Sequence, residues 1–233
     1  MFGRVPQTEF DLQFPVLGIP VRVHPLFWLM GAIMGFSPGW AQAMGVNVLG
    51  VICLWWMVIF ISILVHELGH ALVAEFFGWR SNIVLYHFGG LAYYDAFRGH
   101  TPWKRIAVSI AGPGAGFILA GFVIAFQFAA TWNGWFEGSV IYEYLIGQLL
   151  FVNIGWGLVN LLPVYPLDGG QICREVLVLL KTRNPPLLSN RIGMFVGGFV
   201  GLVALNFGMT YAGLMFLFLA FSNYQATQPQ NPL

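Results

Sequence analysis

Charged residues along this chain fall in clusters, and the intervals between the clusters are long. Four stretches hold no Asp, Glu, Lys or Arg: 23–66, 106–136, 144–167 and 192–233, of 44, 31, 24 and 42 residues. A helix crosses the roughly 30 Å hydrocarbon layer in about 20 residues, so each stretch holds at least one span and the longest two hold a pair. Breakers sit where the pairs need turns. Ser37-Pro38-Gly39 divides 25–36 from a span that starts near Val46 and runs through Gly78, and Asn206-Phe207-Gly208 divides 192–205 from 209–224. With one span each near 106–130 and 141–162, the pattern predicts an all-α polytopic membrane protein of about six transmembrane helices. One segment departs from it: 83–94 carries β-formers around Gly89-Gly90 and reads as a short β-hairpin.

Composition agrees. The 233 residues are 58% hydrophobic and 8% charged, against about 25% charged in soluble domains. Disorder is excluded, because it needs low hydrophobicity and high charge. A net charge of +1 leaves no basic face for nucleic acid. The two cysteines, Cys53 and Cys173, form no CxxC, so neither a disulfide framework nor a thiolate zinc site is expected. Arg4, Glu9, Asp11 and Arg22 interrupt the first 25 residues and argue against a cleaved secretory signal. The ten Lys and Arg all fall in the N-terminal segment, in 79–105 or in 168–191, and none in 37–46, 131–143 or 206–209. By the positive-inside rule the chain is expected to be a multi-pass protein of the cell (inner) membrane, with both termini and the segments 79–105 and 168–191 toward the cytoplasm.

The chemistry starts at the cytoplasmic end of the second span, in His66-Glu67-Leu68-Gly69-His70. Two His four residues apart share a helix face one turn apart, the spacing at which two imidazoles bind one metal ion. Glu67 beside them is placed as a general base, the content of the H-E-x-x-H pattern. Ionisable groups this close to an apolar run are costly and mark function. Hydrolytic zinc takes a third protein ligand and keeps one position open. Glu137 and Glu143 lie on the opposite side by the charge rule. Glu75 points roughly 140° away from His70 on helical geometry. Asp95 and Glu175 lie in polar cytoplasmic segments. Asp168 closes the 24-residue uncharged stretch in Asn160-Leu161-Leu162-Pro163-Val164-Tyr165-Pro166-Leu167-Asp168-Gly169-Gly170. Its prolines and glycines predict a helix that unwinds around 163–170, backbone tolerated at membrane depth only against protein or a water-filled cavity. His24, His87 and His100 have no partner at metal spacing.

H-E-L-G-H in an early span with N-L-L-P-x-x-P-L-D-G-G in a later one resembles the site-2 protease family of intramembrane zinc metalloproteases. The resemblance covers about residues 60–175. It implies one Zn2+ per chain held by His66, His70 and Asp168, with Glu67 as general base. Asn160, eight residues before Asp168 and more than two helical turns away, is expected either to stand behind the metal ligands or to contact substrate as a catalytic amide. Ala111-Gly112-Pro113-Gly114 looks like the family's Gly-Pro motif; where the family often has Asn three residues after that Pro, this chain has Gly116. Similar proteins carry a membrane-associated hairpin after the metal helix, so 83–94 is expected to be re-entrant and to offer an edge for β-augmentation by substrate. Segments 79–105 and 168–191 are too short for the PDZ or CBS domains of larger relatives. The expectation is a single membrane-embedded metalloprotease domain over 1–233, with its catalytic core at about 46–180. It would cleave peptide bonds in or beside a transmembrane segment of a protein substrate, with the lipid bilayer and a regulatory membrane partner as surroundings. The alternative is a metal-ion transporter using the His/Asp cluster as a transit site. Such transporters offer ionisable groups through the membrane thickness, which 106–136 and 192–233 lack.

Overall fold

The computed structural model describes residues 5–87, 89–95 and 101–228. Arg4, Phe88, Arg98 and His100 lie outside these residues. The described chain clusters into two compact units, Met1–Arg98 with Ala111–Gly157, and Gly99–Ile110 with Leu158–Leu233.

The first unit opens with strands, a departure from the all-α expectation. Strands β1 (Leu12–Val16) and β2 (Ile19–Val23) pair antiparallel through Leu17-Gly18, both at positive φ (51° and 82°). That is the two-residue turn whose twist matches paired strands. Helices α1 (Pro25–Gly35), α2 (Pro38–Met44) and α3 (Val48–Phe76) follow. Asn47 caps α3, its Oδ1 accepting from the Gly50 amide at 2.8 Å. Gly78 at φ +80° turns the chain back into β3 (Arg80–Tyr86) and β4 (Gly89–Asp95). These strands form the expected hairpin, with Leu85 opposite Gly90. β3 also pairs parallel with β2, Val21 against Ile83, so the sheet runs β1-β2-β3-β4. Its alternate residues Ile19, Val21, Val23, Ile83 and Leu85 are buried with Phe27 of α1 and Trp55, Val58, Ile59 and Ala71 of α3. Alternation on the strands and a helical stripe on α3 thus make one core.

Helix α4 (Pro102–Trp132) is one helix that includes Gly112-Pro113-Gly114. The next helical run is α5 (Val140–Leu150), a π-helical turn (Phe151–Trp156) and α6 (Gly157–Asn160). The helix ends at Asn160, and a loop over 161–167 precedes α7 (Asp168–Leu179), a helix the apolar pattern did not reveal. In the second unit α8 (Pro185–Asn206) and α9 (Thr210–Gln225) form a hairpin. Gly193, Gly197 and Gly201 let them approach: a Cβ on Gly197 would lie 3.3 Å from Ala220 Cβ. Among the described residues, three helices are long and apolar enough to cross a membrane: Val48–Phe76, Pro102–Trp132 and Pro185–Asn206.

Candidate active site

Two turns of α3 carry the first cluster. His66 and His70 put their Nε2 atoms 3.1 Å apart, the rings edge to face. Two nitrogens bound tetrahedrally to one zinc at about 2.0–2.1 Å stand about 3.3 Å apart, so the pair fits a single ion. His66, Glu67 and His70 each offer one ligand atom, and these all lie within 4.8 Å of one another. Glu67 and His70 are buried and His66 is half-buried.

Glycines line this cluster. A Cβ on Gly69 would strike the backbone of Ala111, so α3 and α4 cross there almost in backbone contact. A Cβ on Gly112 would fall onto the His70 imidazole, 2.8 Å from Cδ2 and closer to Nε2 and Cε1. A Cβ on Gly90, in β4, would lie 2.6 Å from Glu67 Oε1. The hairpin therefore returns along α3 far enough to set its backbone against the carboxylate. Two bonds fix that return. Ser81 donates its amide to Glu75 Oε1 at 2.8 Å and its hydroxyl to the Ala71 carbonyl at 3.2 Å.

One turn before His66, the buried Ser62 accepts from Asn153 Nδ2 at 2.9 Å, and Asn153 also donates to the Leu149 carbonyl. Asn153 sits in the π-helical turn, whose extra residue swings a side chain off the ordinary register. Gly116 faces it: a Cβ there would stand 3.5 Å from Asn153 Oδ1. An amide thus occupies the space beside Gly116, supplied from another helix. Sequence reading passed over Ser62 and Asn153, although both are polar islands in uncharged stretches.

In the second unit Asn160 is buried at the end of α6, and Asp168 is buried at the first position of α7. A carboxylate there is favoured by the helix dipole. Gly169 and Gly170 are required by backbone approach. A Cβ on Gly170 would lie 2.5 Å from the Tyr165 nitrogen, and one on Gly169 would strike the Leu161 and Leu162 carbonyls.

The other acids sort themselves. Glu75 is engaged by Ser81, and Glu175 accepts from Arg105 at 2.8 Å in an ion pair. Glu137 and Glu143 are exposed. Asp95 lies in β4. His24 is a cap, its Nδ1 accepting from the Leu26 amide at 3.1 Å, and His87 follows β3 at the hairpin turn.

The family model of peptidase family M50 matches residues 55–141 and 138–204, an extent that takes in most of α3 with its His pair, the loop before Asp168 and most of α8. The chain belongs to that family. Stage IV sporulation protein FB of Bacillus subtilis is 36% identical over 170 residues, 72% of this chain and 50% of that protein. A zinc metalloprotease of Methanocaldococcus jannaschii is 26% identical over 222 residues, 94% of this chain and 59% of that protein. The solved structure of a site-2 protease from Methanocaldococcus jannaschii matches with a TM-score of 0.55 at 26% identity, covering 96% of this chain and 98% of that one. The chain spans about half the length of the curated relatives it matches. The transporter reading gains no support from these relatives.

Proposed function

We propose that this member of family M50 is an intramembrane zinc endopeptidase that hydrolyses peptide bonds in or beside a transmembrane segment of a protein substrate. The observation that carries the reading is the His66–Glu67–His70 group, at single-ion spacing on a helix long and apolar enough to span a bilayer. His66 and His70 would hold zinc through Nε2. Asp168 is proposed as the third ligand: it is a buried carboxylate at a helix start, in the segment that carries the resemblance to the family's metal motif. Bound zinc supplies Lewis-acid chemistry to a peptide carbonyl and to water. Glu67 Oε accepts the proton of the attacking water and returns it to the leaving amine. The amide of Asn160 donates to the oxygen that gains charge, a role worth about 3–4 kcal/mol in other enzymes. The substrate segment unwinds and pairs with the outer edge of β4, the last strand of the described sheet, which brings its backbone to Glu67.

The whole chain is read as one membrane-embedded domain of six spans, formed by α1, α3, α4, the helical run 140–160, α8 and α9, with the β3–β4 hairpin re-entrant from the cytoplasmic side. The one-sided placement of Lys and Arg supports that orientation in the cell membrane. An engineered thiol at Gly134 should be labelled from outside and one at Arg183 should not; the reverse would invert the topology.

The test uses purified full chain in detergent with a membrane-spanning model substrate. Glu67→Gln should keep zinc and fold while cleavage is lost. Asp168→Ala should lose both zinc and cleavage, and Asn160→Ala should keep zinc and lose rate. Equal cleavage by Glu67→Gln and the unaltered chain would sink the assignment.

A further inference from the structure

The last helix carries a polar group that no role described so far uses. Asn223 of α9 is 2% exposed, among residues chosen for apolarity. Its Nδ2 donates to the Tyr165 carbonyl at 2.6 Å and to the Leu219 carbonyl at 2.8 Å. Both neighbours are acceptors only, so the amide nitrogen must face them and the orientation of the side chain is settled by the network. The consequence is an unmet buried atom: Asn223 Oδ1 has no hydrogen-bond partner among the described residues. It fits because Gly193 of α8 has no side chain; a Cβ there would stand 2.5 Å from Oδ1. A buried acceptor left unmade is unfavourable, and a leucine of similar volume would avoid it. What the amide supplies in return is its bond to Tyr165.

That bond lands on the loop 161–167. Pro163 and Pro166 have no N–H, and the internal bonds of the run after Pro163 are few, Val164 to Leu162 and Leu167 to Val164. Tyr165 lies three residues before Asp168. Two residues after Asp168, the buried Ser189 of α8 donates its hydroxyl to the Gly170 carbonyl at 3.3 Å. The two helices thus grip the chain on either side of one carboxylate.

We infer that Asn223, seconded by Ser189, is a positioning residue: the α8–α9 hairpin fixes the direction from which Asp168 offers its carboxylate to zinc. The inference rests on the reading of Asp168 as a zinc ligand. Asn223→Leu keeps volume and removes the donor. In the full detergent-solubilised chain its zinc affinity, read by competition with a chelator, should fall about 10- to 100-fold, the range for lost outer partners of metal ligands. Leu205→Ala loosens the same hairpin where Leu205 lies over Gly213, far along the helices from the loop. It should lower the thermal midpoint of the zinc-free protein at least as much as Asn223→Leu does, yet leave zinc affinity unchanged. Asp168→Ala is measured beside them. If Asp168→Ala loses zinc while Asn223→Leu binds it like the unaltered chain, the positioning role is overturned and the ligand stands. If Asp168→Ala keeps zinc, the ligand reading fails and takes this inference with it. Should Asn223→Leu not fold, Ser189→Ala decides: weakened zinc binding supports the clamp, and unchanged binding overturns it.

Discussion

Gly112→Ala should separate the metal site from the fold. The new methyl would stand 2.8 Å from His70 Cδ2 and closer still to Nε2 and Cε1. Carbon contacts are comfortable from about 3.5 Å, so the imidazole must back away by roughly 1 Å. The His70 ring is the end of a side chain and can turn, so the helices need not part. Metal–ligand distances, however, tolerate only about 0.2 Å. The displacement therefore takes His70 out of coordination. Losing a ligand should exceed the 10- to 100-fold cost of losing an outer partner, so zinc affinity should fall by at least about 100-fold, or about 2.8 kcal/mol. The zinc-free protein should be no less stable, since Ala is favoured over Gly inside a helix by about 0.5–1 kcal/mol. Gly121→Ala, where a Cβ meets nothing within 4 Å, is the matched control on the same helix. The assay is chelator competition for zinc beside the thermal midpoint of the metal-free protein. Zinc affinity in Gly112→Ala equal to that in Gly121→Ala would refute the reasoning.

Gly90→Ala should spare zinc and slow cleavage by at least tenfold, because its methyl displaces the Glu67 carboxylate and general-base catalysis is worth about 10²–10⁴-fold; kcat measured at full zinc occupancy checks it. Burial pushes the Asp11 carboxyl up, but hydrogen bonds from Thr8 and Arg22 outweigh it and hold it below its ordinary 3.8. A lowered value in the folded state stabilises above pH 3.8 and is lost as pH falls through the depressed value. Asp11→Asn should therefore lower the thermal midpoint at pH 7 and converge with the unaltered chain as the pH falls below 3.8 through the depressed value; a constant gap would show that Asp11 acts otherwise.

The helices were legible because a bilayer imposes length and apolarity: α3 and α4 match the expected spans to within four residues, whereas α8 begins seven residues before its uncharged stretch. The H-E-x-x-H pair was legible because helical spacing alone places its nitrogens. The β1–β2 hairpin was not: Leu17 at positive φ is an unusual choice, and Pro15 and Pro20 disguise strands whose pairing is completed by β3, some sixty residues on. Helix α7 was hidden because it is amphipathic and charged, unlike the spans around it. Contacts of Gly90 with Glu67 and of Gly112 with His70 are tertiary, and no periodicity reports them. Asn153 and Asn223 were visible as isolated amides, but which carbonyl or hydroxyl each meets depends on the π-helical turn and on the Gly193 gap.

The parallel pairing of β2 with β3 bears on the order in which the molecule is built. β2 ends before the first helix and β3 begins after the metal helix, so three helices lie between Val21 and its partner Ile83. Closing so long a loop is slow relative to local pairing. During synthesis β1–β2 can form as soon as it emerges, but its inner edge stays open until β3 has left the ribosome. β4, which covers Glu67, follows only then. Glu67 is thus covered last, after the helix that carries it has been made. A nascent chain stalled before β3 should therefore show fast amide exchange along β2 that disappears when synthesis proceeds past Asp95.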